Sequence, residues 1–484
     1  LIDQSLRENR QLFDIVAGTS AGAMNATIIV NHVLQSKEKD NPWKGSVEKI
    51  YDFWDDVSTH TFYLEDYFSK IWLGSTSTMR EIFDGFWKNS LGIFNEDFRT
   101  QWSLLPFYYF WPDKYGSLGS EESFRRYLSF LQFTAALPPG TPNVLSAGIF
   151  QPDFKFLNPF NNLIRYDNSP LVRTIRNGYW DDTKNPILTN EGQPRLLLVA
   201  VDVQDSATVT FDSYPKKNHQ RMSIYGENGT FDVKDVDHNN NNTSKYAIIY
   251  NDGIQMKHLL TTFSSHLRHA FPELDVNPVT VIGNNEIIIQ EEKGTPRPFM
   301  DGFYLSNTPL REVLQAHRDY YHKIKGSDVP QLEIYIGDLY TTKEKGTPKD
   351  PDAINNRVQN VLYHDKSKYD EKVTAMVSDY LNIIDDLMSM LRDKGMTDST
   401  IYEQLNNDLE KRILSSHRNG GPRNSEDLIK GRVTINKIQR IEYGESQRLD
   451  DSEDIYGKAF EFSKRTIRDL MKKGYEDTIK KLNY

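Results

Sequence analysis

Near the start of the chain a strand-like run, Phe13-Asp14-Ile15-Val16-Ala17, leads straight into Gly18-Thr19-Ser20-Ala21-Gly22, and good helix formers follow to about Gln35. Strand, sharp glycine turn and helix in that order make a βα unit. Such a unit must bury its strand between other strands and covering helices, so the expected class is α/β with a mainly parallel central sheet. The turn has G-x-S-x-G spacing. Glycines two before and two after Ser20 are expected to let the chain bend without Cβ clashes and to leave the hydroxyl exposed. The helix from about Ala21 aims backbone N–H groups and its positive dipole end at that hydroxyl, and the Ala21 N–H is a donor for a developing oxyanion. Ser20 is therefore the candidate nucleophile; the plain alternative is a structural βα turn.

Bulk composition narrows the chemistry. The 484 residues are 38% hydrophobic and 26% charged, a globular balance with material for two to four domains. A formal net charge of -10 argues against nucleic-acid binding by phosphate neutralisation. With no cysteine, disulfides, thiolate metal sites and cysteine nucleophiles are excluded. No run approaches the roughly 18 apolar residues of a membrane-spanning helix. There is no clustered metal-ligand motif, and the expected chemistry calls for no cofactor and no metal. The first residue is Leu1 rather than Met, so the expectation is a start that lacks its true N-terminus, in a cytoplasmic or peripheral membrane protein.

The character of the chain changes from about Pro42 to Phe156, where "YDFWDDVSTHTFYLEDYFSKIWLG" and "LLPFYYFWPDKYG" concentrate aromatic residues. Two readings stand: a helical subdomain with its own aromatic core, or a cap lining a lipophilic cavity. Alternating structure returns with "RLLLVAVDV" from Arg195 to Val203, read as a buried strand by its unbroken apolar run, and with "ATVTFDSY" as its neighbour. A helix is expected at about Ile254–Ala270, followed by strands at "PVTVIG", "EIIIQEE" and "LEIYIGDLY". Thr341–Ala353 reads as a linker. In the helical block beyond it, Val373, Met376, Val377, Tyr380, Leu381, Ile384, Leu387, Met388 and Leu391 fall at helical spacing, one stripe expected to face a core. A strand, "RVTINKIQRIEY", and a closing helix end the chain. The expected organisation is a domain over 1–345 with the cap at about 42–156, a helical insertion at 346–425, and a strand and helix at 426–484 that complete the α/β domain.

A serine nucleophile needs a base. Histidine would make a Ser-His-Asp triad. However, His417 precedes the terminal strand, and His266, His269, His317 and His322 lie on or just after helices, where surface or core-edge roles are expected. The other candidate is a carboxylate. "FMDGFYLSNTPL", Phe299 to Leu310, places Asp301-Gly302 after a hydrophobic approach, then Asn307 and Pro309 before a helix. Asp252-Gly253 is a second Asp-Gly pair, without the N-x-P tail, and reads as a loop turn.

At this point the sequence resembles the patatin-like phospholipase family, which pairs a G-x-S-x-G serine with an aspartate in a D-G-[GA] turn followed by N-x-P. The resemblance covers Leu1–Tyr340 and Arg432–Tyr484, and takes in "DNSPL" before a helix and the "LLLVAVDVQDSATVTF" strand pair. It implies a three-layer α/β/α fold with Ser20 as nucleophile and Asp301 as general base. Gly18, Ala21 and Gly22 would shape the elbow, and Gly302 and Asn307 the base turn. It also implies a lipid or fatty-acyl ester substrate and peripheral membrane contact. Two departures accompany it. The glycine-rich D-G-G-G-x-R-G-like loop that supplies oxyanion donors does not precede Ser20 here, and is expected upstream of Leu1; Gly420-Gly421 lies at the wrong end to replace it. Phe303 stands where Gly or Ala is usual, either crowding the turn or lining an acyl pocket. The alternatives are a catalytically impaired lipid-binding or scaffold protein of the same fold, and a Ser-His-Asp esterase.

Overall fold

The computed structural model describes residues 11–38, 40–58, 146–148, 165–216, 220–226, 229–230, 245–264, 271–282, 286–289, 294–340, 347, 351–393, 413–414, 423–424, 431–442 and 464–482. Most of the aromatic segment and the histidines at 266, 269 and 417 lie outside the described residues, as do Gly420 and Gly421. The chain divides into two compact units. One comprises Leu1–Ile50, Tyr179–Asp338 and Asp365–Arg440; the other comprises Tyr51–Gly178, Leu339–His364 and Ile441–Tyr484.

In chain order the strands are β1 (Ile15–Gly18), β2 (Ser146–Gly148), β3 (Arg165–Asp167), β4 (Arg195–Asp202), β5 (Ala207–Asp212), β6 (Met222–Gly226), β7 (Gly229–Thr230), β8 (Lys245–Ile249), β9 (Glu273–Ile282), β10 (Glu286–Ile289), β11 (Thr295–Asp301), β12 (Leu332–Asp338), β13 (Ile413–Leu414), β14 (Arg423–Asn424) and β15 (Ile435–Glu442). The first unit is built on a nine-stranded sheet in the order β1-β4-β11-β9-β8-β6-β7, with β5 beside β4 and β10 beside β9. β4 is its axis. All eight of its residues are buried, and Leu196 to Val201 are fully enclosed, as an unbroken apolar run demands when both faces are covered.

The protein is thus mixed α/β, but its sheet is not mainly parallel as expected. β1 runs parallel to β4. Antiparallel pairing joins β4 to β5, β11 to β4 and β9, β8 to β6 and β9, β9 to β10, and β6 to β7. The reason lies in the connections. Only four residues separate β4 from β5, with Ser206 at a positive φ of 50°, and a parallel neighbour needs a crossover of a dozen residues or more. The sheet also curls, bringing the Ser223 hydroxyl of β6 onto the Thr210 carbonyl of β5. β15 pairs with β12 in a separate two-stranded sheet, so the late strand does not extend the main one.

The helices of the first unit include α1 (Ser20–Gln35), which buries Ala23, Ala26, Thr27, Ile28, Val30, Asn31 and Val33. The second helix, α2 (Ser46–Asp56), crosses from the first unit into the second. In the second unit, Leu171 and Ile175 of α3 (Ser169–Gly178) are buried one turn apart. The first unit then adds α4 (Met256–Thr261), α5 (Phe303–Ser306) and α6 (Leu310–Arg318). α4 is shorter than the helix expected at Ile254–Ala270, and residues 265–270 lie outside the described ones. α7 (Pro351–Tyr363) begins inside the segment read as a linker.

The long helix α8 (Ser367–Asp393) corrects another expectation. Leu381 is buried, yet Met376, Val377, Tyr380, Ile384 and Leu387 of the apolar stripe are exposed. Polar groups fix the rotation of this helix instead. The Ser378 hydroxyl donates to the Val433 carbonyl at 2.7 Å. The buried Arg440 guanidinium binds Glu371 at 3.1 Å, the Ser367 hydroxyl at 3.2 Å and the Asp365 carboxylate. Turning the stripe inward would break these contacts and strand the buried Arg440 and the Val433 carbonyl. In the second unit the closing helix α9 (Lys464–Leu482) is tied to Asp55 through Lys464 and through Arg468 at 2.9 Å.

Candidate active site

Ser20 and Asp301 reach each other because two strands end head to head. β1 lies along the first half of one edge of β4, with Gly18 opposite Leu198. β11 lies along the second half of that edge, running the other way, with Asp301 opposite Ala200. β5 occupies the opposite edge. The C-termini of β1 and β11 therefore converge on Val199. Residues separated by most of the chain meet where the edge changes partner.

Glycine is required at two points of that meeting. A Cβ on Gly302 would press into the Val199 carbonyl, and one on Gly18 into the Gly22 carbonyl. Gly22 is different: a Cβ there meets nothing within 4 Å among the described residues. The second glycine of the G-x-S-x-G motif is thus not needed to avoid a clash, contrary to expectation. Gly22 matters as the backbone surface on which Gly18 packs.

Ser20 sits at φ 52°, a left-handed conformation costly for a residue with a Cβ. Its N–H donates to the Thr262 carbonyl at 2.9 Å. The hydroxyl lies close enough to the Asp301 carboxylate to favour its ionised form. The Ala23 N–H bonds the Thr19 carbonyl at 3.2 Å. Among the described residues this leaves the N–H groups of Ala21 and Gly22 as first-turn donors of α1 without a backbone acceptor.

Asp301 is buried, 2% exposed. Its carboxylate accepts the Phe303 N–H at 3.0 Å. Burial pushes its pKa up to about 7, against the smaller lowering effects of that hydrogen bond and of the nearby Ser20 hydroxyl. The result is a carboxylate that can hold or release a proton near neutrality, which suits a general base. The Phe303 backbone orients the carboxylate, and its ring packs on Tyr304 with centroids 4.1 Å apart. Asn307 contributes through its main chain, its carbonyl accepting the Thr19 hydroxyl at 3.1 Å. Pro309 precedes α6, where Glu312 accepts the Ser306 hydroxyl at 2.8 Å.

Among the described residues no histidine is hydrogen-bonded to Ser20 or Asp301. The His317 Nε2 pairs with the Pro330 carbonyl at 2.8 Å. His258 is buried against Phe211 and Tyr250 and caps α4 through Nδ1. The Asp252-Gly253 pair is a turn, with Gly253 at φ 100°. No group of three or more His, Asp and Glu side chains among the described residues is arranged to hold a metal ion. No described helix is long and apolar enough to cross a membrane.

Sequence reasoning missed Thr262 and Ser264. Both hold the candidate residues through backbone carbonyls, the first accepting the Ser20 N–H and the second the Asp301 N–H at 3.0 Å. Backbone acceptors carry no residue-type signature; the one visible cue was the cluster of hydroxyls in Thr261-Thr262-Phe263-Ser264. No protein-family model matches the chain, and neither a curated protein nor a solved structure does.

Proposed function

We propose that the protein is a serine acyl hydrolase that cleaves lipid carboxylic esters through a Ser20–Asp301 dyad, in the manner of a patatin-like phospholipase on a three-layer α/β/α scaffold. The observation that carries this reading is Ser20, held on a left-handed elbow beside the buried Asp301 carboxylate, whose pKa burial raises. The lipid part rests on the resemblance of the Gly18–Gly22 and Asp301–Pro309 segments to that family. Peripheral membrane contact, where such substrates reside, belongs to the same proposal.

Asp301 takes the hydroxyl proton as the Ser20 oxygen attacks the ester carbonyl. The oxyanion that forms receives the Ala21 N–H at the start of α1. Collapse expels the alcohol, which takes the proton back from Asp301. Water, deprotonated by the same carboxylate, then releases the acid and restores the free hydroxyl. The test is hydrolysis of p-nitrophenyl esters and of phospholipid vesicles by the wild type, Ser20→Ala and Asp301→Asn. Turnover by the wild type and loss of at least about 10³-fold in both variants is expected. Ester hydrolysis that survives Ser20→Ala undiminished would remove the proposal.

A further inference from the structure

The backbones of Ser20 and Asp301 are held by a single three-residue turn. The Thr262 carbonyl accepts the Ser20 N–H at 2.9 Å, and the Ser264 carbonyl accepts the Asp301 N–H at 3.0 Å. We propose that Thr262-Phe263-Ser264 is a positioning element that sets the separation of the two dyad residues. The proposal rests on the dyad reading above and adds residues to it.

Two residues of chain span at most about 7 Å, so two acceptors this close in sequence fix their donors within one turn of each other. The turn is itself anchored. The hydroxyls of Thr261, Thr262 and Ser264 donate to the carbonyls of His258, Leu259 and Leu260, at 2.6, 2.7 and 3.0 Å. These carbonyls lie at the C-terminal end of α4, and that of Leu259 also accepts the Thr262 N–H at 3.0 Å. With the last turn tied down in this way, the carbonyls of Thr262 and Ser264 face the N–H groups of Ser20 and Asp301. All three hydroxyl residues are fully buried and Phe263 nearly so. The far end of α4 is fastened as well: the Met256 N–H donates to Asp182 at 2.9 Å, and Gln255 and His258 form a reciprocal cap.

The geometry also explains how serine tolerates a left-handed φ. The conformation is strained, and strain persists only where the surroundings over-determine it. The Ser20 N–H is pinned from the end of α4, and the hydroxyl lies beside the carboxylate that ends β11. Loosening the turn should let Ser20 relax and part from Asp301. No charged side chain contributes to the raised Asp301 pKa, only burial, the Phe303 N–H and Ser20. Separation from Ser20 would therefore move the pH midpoint of the rate upward.

The experiment uses the full chain carrying Thr262→Val or Ser264→Ala, each removing one anchoring hydroxyl, with Thr262→Ser as the conservative control. Hydrolysis of p-nitrophenyl butyrate is followed from pH 5 to 9, and residue-resolved hydrogen exchange is measured in parallel. Expected are a fall in kcat of roughly 10-fold with KM little changed, an upward shift of the pH midpoint, and recovery in Thr262→Ser. The Ser20 and Asp301 amides should be protected in the wild type and lose protection together in both variants. Unchanged kcat and pH midpoint with only a lowered Tm, or amides that exchange independently, would overturn the positioning role. Joint amide protection in a wild type without esterase activity would instead support the turn and count against the proposed hydrolase.

Discussion

Replacing Asp301 by Asn should make the protein more stable at alkaline pH while abolishing the proposed activity. Asparagine keeps the shape and can still accept the Phe303 N–H, but it cannot ionise. In the wild type the carboxyl pKa rises from 3.8 to about 7 on folding. A folded pKa above the unfolded one means the native state binds the proton more tightly. That contribution to stability is complete below about pH 4 and is lost as pH rises through about 7. With these two values, the contribution is about 3 kcal/mol at pH 5 and close to zero at pH 8. The stability of Asp301→Asn relative to wild type should therefore improve by about 3 kcal/mol from pH 5 to pH 8. Other titrating groups cancel in the difference. Urea denaturation followed by tryptophan fluorescence reads it out, because Trp43 and Trp180 are buried in the same unit as the dyad. At an m-value of about 3 kcal/mol/M the relative midpoint moves by about 1 M. Parallel pH profiles for the two proteins would mean that Asp301 titrates as an ordinary carboxyl and would refute the reasoning.

Three further outcomes follow from the geometry. Ser20→Gly should be more stable than Ser20→Ala by about 1 kcal/mol in urea unfolding, since only glycine adopts φ 52° without strain; equal stabilities would mean the elbow is relaxed. Gly302→Ala and Gly18→Ala should each cost about 2–4 kcal/mol, because the added methyl meets backbone that cannot yield, whereas Gly22→Ala should be neutral or stabilising by about 0.5 kcal/mol. On α8, Tyr380→Lys and Leu387→Lys should leave stability within about 0.5 kcal/mol, while Leu381→Ala should lose about 2–3 kcal/mol; the reverse ranking would restore the inward-facing stripe.

The turns that bring Ser20 and Asp301 near each other were legible in the sequence because each sits in a local pattern with strict backbone demands, although the pairing of the two came from the family resemblance. Gly18 and Gly302 are needed where no Cβ fits, and glycines mark such places in any sequence. β4 was legible for a similar reason, since a strand covered on both faces must read as an unbroken apolar run. The direction of its neighbours was less visible. Apolar patterning identifies the strands, but the antiparallel signal resides in the four-residue connection to β5, which patterning does not read. The rotation of α8 was hidden because amphipathic spacing reports which residues share a face, not which face turns inward. That choice was made by Ser378, Glu371 and Arg440, residues whose partners lie far along the chain. The turn at Thr262–Ser264 was least visible, since its contribution passes through carbonyl groups that every residue possesses.

The most direct test of the central claim is the site and pH dependence of labelling by a fluorophosphonate, read by peptide mass spectrometry. The account predicts modification at Ser20, at a rate that rises with pH through a midpoint near 7 and collapses in Asp301→Asn. Labelling at another serine, or at Ser20 with equal speed in Asp301→Asn, would contradict it.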